Sequence, residues 1–137
     1  MSDHFAEVFP LVWTEDVEGL GAWAVGALGL TESWRAPGED ETIIEHLELH
    51  WFSGKISINY KRAEFEHTGP CGISLRVDDK DTVDRLFEQA RAYGANIAQP
   101  PMDSRIAYSF TTIDPDGNQW WVNAETGMLD QLRNTST

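Results

Sequence analysis

Apolar residues recur along this chain with two different periods, and these periods separate predicted helices from predicted strands. Two stretches place apolar residues on one helical face, which is typical of an amphipathic α-helix. The first should follow a cap at Asp16 and end near Leu28, before Gly29; the second should run over 81–93, before Gly94. The two apolar stripes are Leu20, Trp23, Ala24, Ala27 and Leu28, and then Val83, Leu86, Phe87 and Ala90.

The remaining apolar runs are short, rich in β-branched and aromatic residues, and bounded by Gly, Pro, Asp or Ser. Such runs predict β-strands. They cover 8–13, 31–35, 42–52, 55–61, 72–77 and 96–98, followed by two strands that form a hairpin within 110–122.

The turn of that last hairpin reads Asp114-Pro115-Asp116-Gly117-Asn118. Pro115 favours the first corner of a type I turn, Asp114 can accept hydrogen bonds from the turn's own backbone, and Gly117 tolerates a positive φ. Beyond the turn, alternation places residues 118, 120 and 122 on one face and 119, 121 and 123 on the other.

The order of elements repeats, which predicts an internal duplication. Val12, Asp16 and Gly29 recur 65 positions later as Val77, Asp81 and Gly94, and Gly54 recurs 63 positions later as Gly117. We therefore expect one domain over 1–137 with two strand–helix–three-strand modules at 6–62 and 70–124, a linker at 63–69 and a tail at 125–137. Two such modules would form a curved eight-stranded wall around a cleft.

The net charge of the chain excludes some classes of partner. A formal charge of -13 over 137 residues argues against nucleic-acid and membrane partners, because the surface repels phosphates and anionic headgroups. It favours either simple solubility or steering of a cationic ligand.

Cys71 is the one cysteine, so no intrachain disulfide can form, and no run approaches the roughly 20 apolar residues of a membrane span. With no basic-apolar leader pattern at its start, the chain is predicted to be soluble and cytoplasmic.

The run from Asp114 to Trp120 resembles the closing hairpin of the vicinal oxygen chelate superfamily, which includes glyoxalase I, bleomycin-resistance proteins and extradiol dioxygenases. The run 42–49 with Gly54 after it resembles the uncharacterised branch labelled PhnB-like. The resemblance implies an α+β glyoxalase/bleomycin-resistance fold, in which two βαβββ modules form a curved eight-stranded mixed sheet around a cleft. It also implies a homodimer, and it leaves open whether modules pair within one chain or between chains.

Metal-dependent members of this superfamily take ligands from the first and last strands of each module. The resemblance places those positions at Phe9 and Gly72 on the first strands and at Ser57 and Trp121 on the last, with Asn59 as the alternative to Ser57 after a two-residue slip. None of these side chains offers the imidazole, carboxylate or thiolate that a divalent ion needs. We therefore predict neither a metal nor another cofactor.

Two other features invite a chemical interpretation. His46, Glu48 and His50 share one face of a predicted strand, but the two histidines would lie about 13 Å apart at 3.3 Å per residue, too far to share an ion. A polar strand face is the interpretation adopted. Cys71 is interpreted as a small, buried residue beside Gly72.

The same register turns further residues toward the cleft, and together they form the predicted ligand-binding set. Its members are Phe9, Leu11, Trp13, Ser57, Ser74, Arg76, Gln119, Trp121 and Asn123. An apolar, aromatic cleft with a few polar groups is typical of small-molecule sites. The favoured hypothesis is a metal-free protein that sequesters an aromatic or cationic compound; Arg76 favours an anionic group instead. The alternatives are a lyase, isomerase or dioxygenase of the superfamily, and an interaction module whose cleft is plugged by Trp13 and Trp121.

Overall fold

The computed structural model of the chain describes residues 7–38, 40, 42–61 and 70–125, and contains two helices and eight strands. In chain order these are β1 (Leu11–Thr14), α1 (Val17–Leu28), β2 (Thr31–Pro37), β3 (Ile44–Trp51), β4 (Gly54–Tyr60), β5 (Gly72–Val77), α2 (Lys80–Tyr93), β6 (Asn96–Asp103), β7 (Ala107–Ile113) and β8 (Gln119–Glu125). The predicted linker and the tail beyond residue 125 lie outside the described residues.

The strands form two four-stranded mixed sheets with the same topology. The first sheet has the order β1-β4-β3-β2 and the second β5-β8-β7-β6. In each sheet the first and last strands of the module pair in parallel and the other neighbours pair antiparallel. The predicted α+β fold of two βαβββ modules is confirmed, with the eight strands divided into one sheet per module.

Local capping explains where both helices begin and end. Asp16 accepts a hydrogen bond from the Gly19 N–H at 2.9 Å, and Gly29 ends α1 with a φ of 79°. The second helix differs from prediction at its start. Its N-cap is Asp79, whose carboxylate accepts from the Thr82 N–H at 2.8 Å, so Asp81 lies inside the first turn. The caps at the helix starts are thus 63 positions apart and those at the ends 65, because α2 is two residues longer than α1.

The sixth strand extends beyond its predicted end at residue 98. It continues through Pro100 and Pro101 to Asp103, with two register shifts in its pairing to β7. Because β6 is the edge strand of its sheet, a missing proline N–H need not interrupt pairing with a neighbour.

The two modules share one hydrophobic core. Helix α1 packs on β3 and β4, α2 packs on β6, β7 and β8, and the two helices pack on each other. Trp23 of α1 crosses between modules, with its ring centroid 5.5 Å from that of Trp120 in β8. Because the helix-covered faces of both sheets contribute to this one core, the opposite faces lie on the outside of the chain. We call these the outer faces.

Gly26 allows the close approach of the two helices. A Cβ atom at this position would collide with the ring of Tyr93 from α2.

Replacing Gly26 by Val is therefore expected to lower the free energy of unfolding by about 2 kcal/mol, because the added side chain must displace the Tyr93 ring. Urea denaturation would measure the change. Val25→Ala, at the exposed neighbouring position, is the matched control and should change it by less than about 0.5 kcal/mol. A stabilised Gly26→Val protein would contradict this account of the helix contact.

Candidate functional site

The Asp114 turn fixes the position of β8. Asp114 Oδ1 accepts from the backbone N–H groups of Asp116 and Asn118 at 2.9 and 3.0 Å, and Gly117 has a φ of 86°. Its Oδ2 accepts from Asn118 Nδ2 at 2.8 Å and from Trp120 Nε1 at 2.9 Å. The turn predicted from the sequence is confirmed, and it also locks Trp120 inward, which turns Trp121 onto the outer face.

The outer face of the first sheet is polar in its middle and apolar at both sides. Paired residues form two rows across the four strands, because directly opposed residues share a face. The rows are Trp34-Glu48-Ser57-Leu11 and Ala36-His46-Asn59-Trp13. Trp34 is 53% exposed and Leu11 is 50% exposed, so apolar surface borders the polar middle on both sides.

A hydrogen-bond network joins the polar residues of this face. His46 Nδ1 lies 2.7 Å from Asn59 Oδ1, and Asn59 Nδ2 donates to the buried Ser57 hydroxyl at 3.1 Å. His46 Nε2 lies 3.5 Å from Glu48 Oε2, and Glu48 in turn lies 3.5 Å from the Lys55 ammonium. In the predicted register Ser57 was a ligand-facing residue, and the structure shows that it lies beneath His46.

The outer face of the second sheet carries Trp121 over Gly72. A Cβ at Gly72 would lie 2.9 Å from Cζ3 of the Trp121 ring, so the ring covers the first-strand position, while 38% of Trp121 remains exposed. Beside it, Asn123 Nδ2 donates to the Ser74 hydroxyl at 2.8 Å, and Arg76 forms an ion pair with Glu125 at 2.9 Å. This face therefore combines one flat aromatic surface with hydrogen-bonded polar groups.

The structure places all members of the predicted ligand-binding set at these two outer faces. Leu11, Trp13 and Ser57 lie on the first sheet, and Phe9 precedes β1 with its ring 4.2 Å from the Lys55 ammonium. The members on the second sheet are Ser74, Arg76, Gln119, Trp121 and Asn123. Within one chain the set is therefore divided between two surfaces, and Trp13 and Trp121 lie on different sheets.

A separate cleft of about 410 Å³ lies between the modules. Its apolar wall includes Leu49, Trp51 and Ile73, and of the predicted set it is lined by Ser74 and Arg76 alone. This cleft lies along the outer edge of β5 rather than over either outer face.

The superfamily's metal positions do not fit a metal here. Ser57 donates and accepts hydrogen bonds within its polar network, Trp121 occupies the space over Gly72, and Phe9 has an apolar ring. Among the described residues, no three His, Cys, Asp or Glu side chains are grouped as they would be around an ion. The four metal positions thus lack the imidazole and carboxylate groups that would compete with water for a divalent cation.

Cys71 is half-buried next to Gly72 and is held by its backbone, whose N–H donates to Asn118 Oδ1 at 2.9 Å. Burial raises the pKa of its thiol, and the nearby Asp114 carboxylate raises it further. The thiol is therefore poorly suited to act as a nucleophile or a metal ligand at neutral pH.

The sequence pattern predicts no ligand contact for His46 or Trp34, and it gives Asn59 only as the alternative to Ser57 at a metal position. The sequence does contain a signal for the contact between His46 and Asn59. The tight β3–β4 turn pairs Trp51 with Gly54, and counting away from the turn along both strands then pairs His46 with Asn59. The Trp34 position could not be obtained in this way, because an irregularity in the β2–β3 pairing shifts its register.

Solved structures with the same fold come from several bacteria. TioX from Micromonospora sp. ML1 is 21% identical over 88% of this chain and 100% of its own, with a TM-score of 0.72. A glyoxalase/bleomycin resistance protein/dioxygenase family enzyme from Burkholderia phytofirmans PsJN is 23% identical over 85% of this chain and 95% of its own, with a TM-score of 0.68. Lactoylglutathione lyase from Agrobacterium tumefaciens is 18% identical over 90% of this chain and 96% of its own, with a TM-score of 0.69.

No functionally curated protein matches the chain by sequence. No helix in the described ranges is long and apolar enough to span a membrane. A family model does match, over residues 3–122. On that match, which covers nearly the whole duplicated fold, the chain belongs to the Glyoxalase/Bleomycin resistance protein/Dioxygenase superfamily.

Proposed function

We propose that this protein is a metal-free member of its superfamily that binds a small aromatic or cationic compound and acts by sequestering it. The observation that carries the proposal is the Trp121 ring over Gly72. Two positions that supply metal ligands in metal-dependent relatives here create a flat apolar surface. Such a surface favours a stacked ring or a cation, at roughly 0.5 to 2 kcal/mol per contact.

The charge of the protein supports a basic or neutral ligand over an anionic one. A formal charge of -13 raises the local concentration of cations around the whole surface. Arg76 is the one cation of the predicted set and lies on the outer face of the second sheet, where its ion pair with Glu125 compensates its charge locally.

We further propose that the binding cleft forms between two copies of the chain. The two outer faces of one chain lie on opposite sides of its shared core, so they do not enclose a common space. In a homodimer, the first sheet of one copy would face the second sheet of the other. This arrangement would bring Leu11 and Trp13 of one copy opposite Trp121 and Ser74 of its partner, and it would cover the exposed apolar side chains of both faces.

Metal content and binding of a defined probe test this proposal. Protein purified without chelator should contain less than about a tenth of an equivalent of zinc, iron, nickel or manganese. Ethidium, a flat aromatic cation, should quench the tryptophan fluorescence on binding. Stoichiometric metal would overturn the metal-free proposal and favour a superfamily enzyme, whereas failure to bind ethidium or uncharged aromatic probes would favour the interaction-module alternative.

Trp121→Ala should weaken ethidium binding by about 1 to 3 kcal/mol, because the variant loses most of one buried aromatic contact. Fluorescence titration measures the affinity. Ile106→Ala, which removes an exposed apolar side chain between β6 and β7, is the matched control and should bind as the wild type does. Equal affinities of the Trp121→Ala and wild-type proteins would remove the main support for this site.

A further inference from the structure

The direction of the Asn59 amide determines the chemistry of His46. Asn59 Nδ2 donates to Ser57, to the hydroxyl at 3.1 Å and to the backbone carbonyl at 3.3 Å. The amide oxygen therefore faces His46, 2.7 Å from Nδ1. A carbonyl oxygen can only accept a hydrogen bond, so Nδ1 must carry the hydrogen.

In a neutral imidazole, a hydrogen on Nδ1 leaves a lone pair on Nε2. The polar neighbours of Nε2 in the described part of the chain are Ser57 Oγ and Glu48 Oε2, both at 3.5 Å. Neither distance corresponds to a strong hydrogen bond. Asn59 thus orients His46 as a hydrogen-bond acceptor whose accepting atom is not engaged by a short contact.

The residues around Nε2 of His46 limit which hydrogen-bond donors on a ligand can reach it. The indole of Trp34 packs edge-on against the imidazole with ring centroids 5.1 Å apart, and Trp13 lies beyond Asn59 in the same row. A ligand over His46 therefore meets aromatic surface on both sides. Glu48, which also contacts Lys55, places a carboxylate beside Nε2 and disfavours an anionic oxygen at this point.

We propose that His46 Nε2 accepts a hydrogen bond from the hydroxyl group of an aromatic ligand, so that the protein recognises phenols and related hydroxy-aromatic compounds. A neutral aromatic hydroxyl satisfies each of these conditions, because it donates to the lone pair, carries no negative charge and brings a ring for the flanking indoles. This inference rests on the proposed small-molecule function and specifies the ligand class of the same cleft.

A matched pair of probes tests the hydroxyl directly. 2-Naphthol and 2-methoxynaphthalene have the same ring system, but only the first can donate a hydrogen bond. By calorimetric titration at pH 8, wild-type protein should bind 2-naphthol about tenfold more tightly, the difference expected for one hydrogen bond.

Two variants assign that difference to His46. His46→Asn places an amide N–H near the position of Nδ1 and has no atom at the position of Nε2, so the preference should disappear. His50→Ala is the matched control on the same strand and face, four residues from His46, and the preference should remain.

The wild-type protein also permits a test that needs no variant. Nitrogen-15 NMR at pH 8 should show His46 with its hydrogen on Nδ1, and 2-naphthol should shift the Nε2 resonance. A hydrogen on Nε2, or a doubly protonated ring, would overturn the proposal. Equal binding of both probes, or failure of both to bind while ethidium still binds, would overturn it and leave the proposed function standing. Failure of both probes and of ethidium would reject the two together.

Discussion

Asp114→Ala is expected to lower the free energy of unfolding by about 4 kcal/mol, one of the two largest effects that we predict for this protein. The Asp114 side chain is 4% exposed and accepts hydrogen bonds from two backbone N–H groups and from the side chains of Asn118 and Trp120. Its removal leaves the buried Asn118 amide and Trp120 indole donors without an acceptor. Each unsatisfied buried donor costs about 1 to 3 kcal/mol, which accounts for the size of the effect.

Urea denaturation followed by circular dichroism would measure this change. Asp103→Ala is the matched control, because Asp103 is an exposed carboxylate whose ion pair with Lys80 joins two largely exposed side chains. Such a pair contributes about 0 to 1 kcal/mol, so the control should unfold almost as the wild type does. If both variants lost equally little stability, the turn would not hold β8 in the way that its hydrogen bonds imply.

The Asp114 turn also shows which features a sequence can predict. Its geometry depends on residues within a few positions of one another, so Pro115 and Gly117 are enough to predict the turn from the sequence. The same holds for the ends of α1, where Asp16 and Gly29 act through neighbouring backbone groups. The start of α2 lies one residue before the predicted position, because the Asp79 carboxylate accepts from the Thr82 N–H and caps the helix ahead of Asp81.

Packing between the modules could not be predicted in the same way. The duplicated pattern gave the two βαβββ modules, but it is equally compatible with modules that meet through their sheets or through their helices. The contact of Trp23 with Trp120 decides between these arrangements, and it joins residues 97 positions apart. Sequence patterns report on residues that are close together in the chain, so they could not predict this contact. The division of the predicted ligand-binding set between two outer faces therefore follows only from the three-dimensional structure.

The candidate site was predicted in outline but not in its chemistry. Strand alternation correctly separates the inward Trp120 from the outward Trp121. The role of His46 depends instead on which atom of Asn59 faces it, and the amide orientation follows from the additional bonds to Ser57. Residue type and spacing predict only a polar strand face. The direction of each hydrogen bond identifies Nε2 of His46 as the hydrogen-bond acceptor on that face.

Two tryptophans on opposite sides of the first sheet provide the second large prediction. Trp23 is 6% exposed and packs between the modules, whereas Trp34 lies on the outer face and is 53% exposed. Trp23→Ala should therefore lower the free energy of unfolding by about 3 to 5 kcal/mol, because it opens a cavity in the shared core. Trp34→Ala should lower it by less, about 1 to 2 kcal/mol, because about half of the Trp34 surface remains in solvent and its ring packs on a single imidazole.

Ligand binding should respond in the opposite order, which makes the pair of variants a strict test. Trp34→Ala removes one aromatic wall beside His46 and should weaken 2-naphthol binding by about 1 kcal/mol, while the protein keeps most of its stability. Trp23→Ala, studied at a temperature where it is still folded, should bind nearly as the wild type does, because its indole faces the core. If instead Trp34→Ala destabilised the fold as much as Trp23→Ala does while binding was unchanged, the outer face of the first sheet would be a structural surface, and the assignment of the ligand to it would be wrong.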